Sequence, residues 1–334
     1  MARRAALRAG GPGHAERTPS ARKMPNQTAE SRASQTELTS VGVRPLMTPD
    51  ELKIVRRAYA KQITAAHKVD YDRVEKAFAE VPREDFLGPA PWPIFRMRKA
   101  YVPTPTADPV FRYTDDVVGI DPSRQINNGQ PSIHAFLLSN AAPRDGEHVV
   151  HVGAGTGYYS AIMARLVDVS GRVTAVEFEP DLAARAVANL SSCPNVSVVH
   201  GDGGSVEFDA ADVIYVNAGA TRPSDIWLDR LKDGGRLILP LTTDLGFTKS
   251  DWSNMHRRGA VFLVTRRGGD FHARWISSVA IFPCAGMRDG VSERALAEAF
   301  EKGDLRRVMR LHRGDHLQSS TSWVRGPGWS LSYS

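Results

Sequence analysis

Apolar positions recur along this chain with two different periods, and each change of period marks a change of architecture. Thr48-Pro49-Asp50-Glu51 reads as a helix start, with a capping residue, a proline in the first turn and a reciprocal carboxylate. Leu52, Val55, Tyr59 and Ile63 then form one stripe. A second helix is expected from Asp70 to Glu80, with Val74 and Phe78 inward, ending at the Val81-Pro82 step. Between Gly88 and Gln130, proline and glycine recur too often for long elements. From His134 to Pro240, short apolar runs at 148–152, 173–176, 196–200, 213–216 and 236–239 alternate with helical stretches at 158–167, 181–190 and 223–231. Strand, helix, strand in repetition requires crossovers, hence parallel neighbours with both faces covered. The expected fold class is α/β, a doubly wound, mostly parallel sheet. Beyond Pro240, residues 260–266, a Gly268-Gly269-Asp270 turn and residues 271–281 predict an antiparallel hairpin. One or two helices are expected within 291–311, then a Ser- and Trp-rich end around Trp323 and Trp329.

Residues 1–46 hold almost no large apolar side chain and cannot bury enough surface to offset the entropy of ordering, so a disordered tail is expected. The chain thus divides into that tail, a helical and loop-rich lead-in at 47–130, a core at 131–285 and an extension at 286–334. Five of the six net positive charges sit in the tail, where eight Lys and Arg face three acids. The remainder is nearly neutral and makes no case for a nucleic-acid partner. With 42% apolar residues and no run near the ~18 of a membrane span, no membrane helix is expected. Two cysteines, Cys193 and Cys284, cannot build a disulfide framework, which fits a reducing, cytoplasmic setting.

The chemistry concentrates after the first core strand, at Gly153-Ala154-Gly155-Thr156-Gly157. Three alternate glycines between a buried strand and a helix let backbone approach a ligand where side chains would collide. Glu177 ends the next strand, twenty residues beyond Gly157, and suits the two hydroxyls of a ribose. A dinucleotide fingerprint fits imperfectly in either frame, since Tyr158 and Ser160 stand where glycine or alanine is needed. Asp202, in Gly201-Asp202-Gly203-Gly204 after the third strand, is placed to accept from an adenine amino group. An adenosine held by Glu177 and Asp202, with glycines under an amino-acid moiety, describes S-adenosylmethionine. An NAD(P)-dependent oxidoreductase on the same unit, or a non-catalytic cofactor-binding homologue, stands as the alternative.

Six segments together carry a resemblance. Val81-Pro82-Arg83-Glu84-Asp85-Phe86, Gln130-Pro131-Ser132-Ile133-His134-Ala135, Gly153–Tyr159, Gly201-Asp202-Gly203, Val216-Asn217-Ala218-Gly219-Ala220 and the run from Leu231 to Pro240 resemble the protein-L-isoaspartate O-methyltransferases in order and spacing, over roughly residues 50–285. The resemblance implies a Rossmann-like class I methyltransferase that moves a methyl group from S-adenosylmethionine to an isoaspartyl or aspartyl carboxylate in a protein or peptide, as in protein repair. It places Gly153, Ala154, Gly155, Thr156 and Gly157 around the methionine part. Glu177 falls on the ribose, Asp202 and Gly203 at the adenine, and Asn217 in the pocket wall.

The family has a serine just before the Pro-x-x-His run, and Gly129 stands there in this chain. Asn127, Asn128, Gln130, Ser132 and His134 are the remaining candidates for the acceptor, and a Gly129→Ser replacement presents itself as the test of drift from repair. A carboxylate acceptor is ionised at pH 7, so no catalytic general base is expected. No metal is expected either, because His148 and His151 lie three apart on a strand, on opposite faces, and no Cys-x-x-Cys or His-Glu-x-x-His occurs.

Overall fold

The computed structural model describes residues 47–334 apart from 70–71, 97–99, 125, 244–258 and 315–320. The tail at 1–46, with its expected disorder, and the expected helix start at Asp70 lie outside the described residues. Helix α1 (Pro49–Ala66) begins as its sequence dictates: Thr48 Oγ1 accepts from Glu51 N at 3.3 Å and Glu51 accepts from Thr48 N at 2.7 Å. Helix α2 (Asp72–Glu80) packs beside it through Tyr59 and Phe78, whose rings meet edge to face.

The proline-rich lead-in is less irregular than its composition suggests. It folds into two short antiparallel ribbons, β1 (Pro93–Arg96) with β2 (Ala100–Pro103), and β3 (Gly119–Asp121) with β4 (Ile126–Asn127). Helix α3 (Pro131–Ala141) then leads into the sheet.

The parallel half of that sheet is β5 (His148–Val152), β6 (Arg172–Glu177), β7 (Val196–His200), β8 (Ala211–Val216) and β9 (Leu231–Thr242). They lie in the order β7-β6-β5-β8-β9, so the crossover reverses direction at β5. Helices α4 (Tyr158–Val167), α5 (Pro180–Asn189) and α6 (Asp225–Arg230) make three of the crossovers, and residues 201–210 join β7 to β8 without a helix. The expected hairpin follows as β10 (Gly259–Arg267), antiparallel to β9, and β11 (Asp270–Ser278), antiparallel to β10.

In the extension, helix α7 (Gly290–Lys302) stands in the span expected to hold one or two helices. After it come three strands that periodicity does not announce, β12 (Arg310–Arg313), β13 (Ser322–Gly326) and β14 (Trp329–Ser332), which carry the sheet on to ten strands. One apolar layer joins α1 to α5 to the sheet face that carries Val149, Val213 and Tyr215. The opposite layer joins Val150, Ile214 and Phe262 to Trp227 of α6, Phe300 of α7 and the buried Trp323 and Trp329. No helix among the described residues is long and apolar enough to cross a membrane.

Candidate active site

The carboxyl ends of β5, β6 and β8 meet at the reversal point, where open α/β sheets offer their crevice. Gly153, Gly155 and Gly157 all have positive φ, at +78°, +57° and +94°. Gly153 and Ala154 donate to the carbonyl of Val176 at 2.9 and 3.1 Å, and Gly157 donates to Ala154 O at 2.9 Å, which ties the turn to the neighbouring strand. A Cβ on Gly153 would stand 3.1 Å from the carbonyl oxygen of Asn217, and one on Gly157 would stand 2.7 Å from Leu190. At Gly155, by contrast, a Cβ would enter open space. The turn therefore presents backbone to a free volume at its middle glycine.

Glu177 closes one side. Its carboxylate is buried and accepts from Gly155 N at 2.6 Å and from Glu179 N at 2.9 Å. Burial raises its pKa, against the lowering by those backbone donors. Asp202 accepts from Gly204 N at 2.9 Å. Gly203 packs so tightly on Val152 that no side chain fits, and its carbonyl accepts from Trp227 Nε1 at 2.7 Å. Asn217 completes the wall, donating from Nδ2 to Gly153 O at 3.3 Å. Thr156 differs from its neighbours: its hydroxyl is turned into the core without a partner, so main chain is what it offers a ligand.

Sequence reasoning missed one wall. The stretch after β11 returns over the end of β8, with Cys284 N donating to Gly219 O at 2.8 Å. Gly286 lies against the Asp202 carboxylate and Met287 against Gly204, leaving no room for a Cβ at either glycine. Cys284 sits among these groups, its thiol pushed up to about 12 by burial and by the charge of Asp202. Its neutral thiol lines the wall.

The acceptor side is organised by two residues. Arg83 is fully buried and donates to the carbonyls of Arg112, Thr114 and Asp116 at 2.6, 2.9 and 3.1 Å, which pins the 112–116 loop. Within that loop Asp115 caps α3. It accepts from Ser132 N at 2.7 Å, Ser132 Oγ at 2.6 Å and Gln130 Nε2 at 2.9 Å. Ser132 and Gln130, both read from sequence as acceptor candidates, are thus spent on the helix start. Nothing local advertised Asp115, whose partners lie fifteen and seventeen residues away.

Asn127 is likewise engaged, donating to Tyr101 OH at 3.1 Å and accepting from Gly129 N at 2.9 Å. Asn128 is buried, with its Nδ2 sealed and unpaired. Gly129 has φ +68°, and a Cβ there would fall inside contact distance of His134 Nε2. A serine cannot be restored at 129 without displacing that ring, so Gly129→Ser is not the clean test of drift that the sequence proposes. His134 is buried, stacks on Tyr159 with centroids 3.6 Å apart and lies 2.8 Å from Tyr215 OH through Nδ1. Burial, then the neighbouring His151 and Arg83, lower its pKa to about 3, so the ring is neutral.

Residues 56–260 match the protein-L-isoaspartate(D-aspartate) O-methyltransferase family. The chain belongs to that family. The matched span includes the glycine turn, Glu177 and Asp202 described at the reversal point. Among curated relatives, the Thermotoga maritima protein-L-isoaspartate O-methyltransferase is 33% identical over 181 residues, and the match spans about half the length of each chain, 52%. The Pyrobaculum islandicum enzyme is 30% identical over 229 residues, 67% of this chain and 95% of its own. A solved protein-L-isoaspartate O-methyltransferase superposes with a TM-score of 0.55 at 22% identity, over 83% of this chain and 87% of its own. A Plasmodium falciparum protein of that description, crystallised with S-adenosyl-L-homocysteine, gives 0.53 at 18% identity over 69% of this chain and 97% of its own. These two likenesses carry the fold, and the first covers more of the chain than residues 56–260 do.

Proposed function

We propose that this chain is an S-adenosylmethionine-dependent carboxyl methyltransferase whose acceptor is an isoaspartyl or aspartyl residue in a protein or peptide. The observation that carries the reading is the buried Glu177 carboxylate, bound to Gly155 N beside the open volume at that glycine, with Asp202 on the next strand end. These groups fit the donor: Glu177 toward the ribose, Asp202 and Gly203 toward the adenine, and Gly153–Gly157 with Asn217 around the amino-acid part. None of the family or fold likenesses favours the oxidoreductase alternative.

When bound, the sulfonium supplies an electrophilic methyl group. A carboxylate oxygen forms the new O–C bond as the S–C bond breaks, leaving a methyl ester and a neutral thioether, with no proton to move. The protein's work is then alignment and exclusion of water, effects worth up to about 7–11 kcal/mol in well-oriented intramolecular reactions. Because opposite charges vanish together, a strong fixed charge beside the acceptor would bind the ground state more than the transition state. At the gap beside Gly129 the nearest side chains, the uncharged His134 and the amide of Asn128, suit that demand, with Arg83 and Asp115 engaged behind them.

A second reading, methylation of an ordinary aspartate in one dedicated peptide, is favoured by glycine at 129 in place of the family's serine and by the commitment of Gln130 and Ser132 to Asp115. Incubation with labelled S-adenosylmethionine and paired aspartyl and isoaspartyl peptides separates the two. Label on the isoaspartyl member supports repair, label confined to the aspartyl peptide of one partner supports the second reading, and no label on either with tight S-adenosylhomocysteine binding sinks both. Calorimetry with S-adenosylhomocysteine against NADH tests the cofactor.

A further inference from the structure

Tyr215 lies on β8, two residues before Asn217. Its hydroxyl and His134 Nδ1 meet at 2.8 Å in a closed environment, the tyrosine 0% and the histidine 4% exposed. Among the described residues the hydroxyl has no other hydrogen-bond partner. Its proton therefore has one place to go, the lone pair of Nδ1, since the reverse arrangement would leave the phenolic hydrogen buried and unpaired. A neutral ring that accepts at Nδ1 carries its hydrogen on Nε2. Stacking on Tyr159, at 3.6 Å and 17°, holds the ring plane. Nε2 faces the backbone of Gly129 in the space a side chain would fill, and it is not sealed in the core as the Nε2 of His151 is.

We propose that Tyr215 is a positioning residue: it fixes His134 in the Nε2–H form, and that N–H, uncovered by Gly129, donates to the acceptor carboxylate. The inference rests on the carboxyl methyltransferase reading. It gives the serine's replacement by glycine a purpose, because the missing side chain exposes a donor one helical turn further on. The donor is neutral, so it orients the carboxylate without anchoring the charge that methylation removes. The Nε2 hydrogen stays on the ring throughout.

The experiment compares the parent with Tyr215→Phe, which removes only the hydroxyl. Long-range proton–nitrogen spectra of the ring should show His134 as a single Nε2–H tautomer in the parent and a mixture in Y215F. Peptide kcat/KM should fall about tenfold in Y215F, largely through KM, with S-adenosylhomocysteine affinity unchanged. His134→Gln, whose amide nitrogen reaches the Nε2 position, should keep more activity than His134→Asn, whose amide stops short. A parent that methylates no aspartyl or isoaspartyl peptide defeats the functional reading itself. A parent that turns over while Y215F keeps both its tautomer and its kcat/KM overturns the inference alone.

Discussion

The donor side and the acceptor side of this crevice are built differently. On the donor side the polar groups of the turn have assigned partners: Gly153 and Ala154 on Val176, Gly155 on Glu177, Gly157 on Ala154. The single open direction is beside Gly155. On the acceptor side an amide at Asn128 is sealed without a partner, a gap stands at Gly129, and the positioning comes from Arg83 through a loop to Asp115 and then to α3. A socket made of backbone admits one ligand. A surface held at two removes can change its ligand without disturbing the sheet.

The sharpest way to break that contrast is Arg83→Met. It removes a buried cation from three carbonyls and should cost about 3–5 kcal/mol of stability, read as a fall in Tm or in denaturant midpoint. A near-parent melt would show that the acceptor side is not held from Arg83. Next in size is Glu177→Ala, which strips the proposed ribose acceptor and orphans the N–H groups of Gly155 and Glu179 among its backbone donors. Affinity for S-adenosylhomocysteine should weaken by about 2–4 kcal/mol, some thirtyfold or more, in a calorimetric titration, with the melt of the ligand-free protein moved far less.

Acid should act through the core that both sides share. His134 and His151 are held at about 3 by burial, below the ~6.5 of a free ring. An unfolded chain then takes up protons that the folded one refuses. The stability carried by the two neutral rings is complete above pH 6.5 and drains as pH falls toward 3, by about 2 kcal/mol per ring at pH 5. Urea unfolding at pH 7.5 and 5 measures the loss, and His151→Asn should flatten its own share. The smallest effect is Asp115→Ala, about 1–2 kcal/mol from the uncapped α3. It should appear as a raised KM for peptide with donor affinity intact, and a matching loss of donor affinity would merge the two sides into one unit.

What could be read from residues alone follows the range of the interactions. The capping box at Thr48, the glycine turn and the strands at 148–152 and 196–200 are set by neighbours a few positions apart, and they stand where periodicity places them. Glu177 and Asp202 were legible because strand ends converge in this topology. Asp115 on Ser132, Tyr215 on His134 across 81 positions, and Gly286 on Asp202 are joined only by tertiary packing. Strands β12 to β14 escaped for a related reason. Four- and five-residue segments such as Arg310–Arg313 carry too little alternation to declare a period, and the edge of β11 gives them their conformation.

Thr221 carries a last consequence. Its N–H and hydroxyl both donate to Met287 O, at 2.9 and 3.1 Å, and the hydroxyl oxygen accepts from Asp289 N at 2.7 Å. The connection from β11 to α7 is thereby stitched at a fixed length: one residue more or fewer would drag Gly286 off the Asp202 carboxylate or slide α7 along its layer. Tolerance of insertions should therefore be lowest at 279–289, a stretch without regular strand or long helix, against the usual expectation for a surface connection.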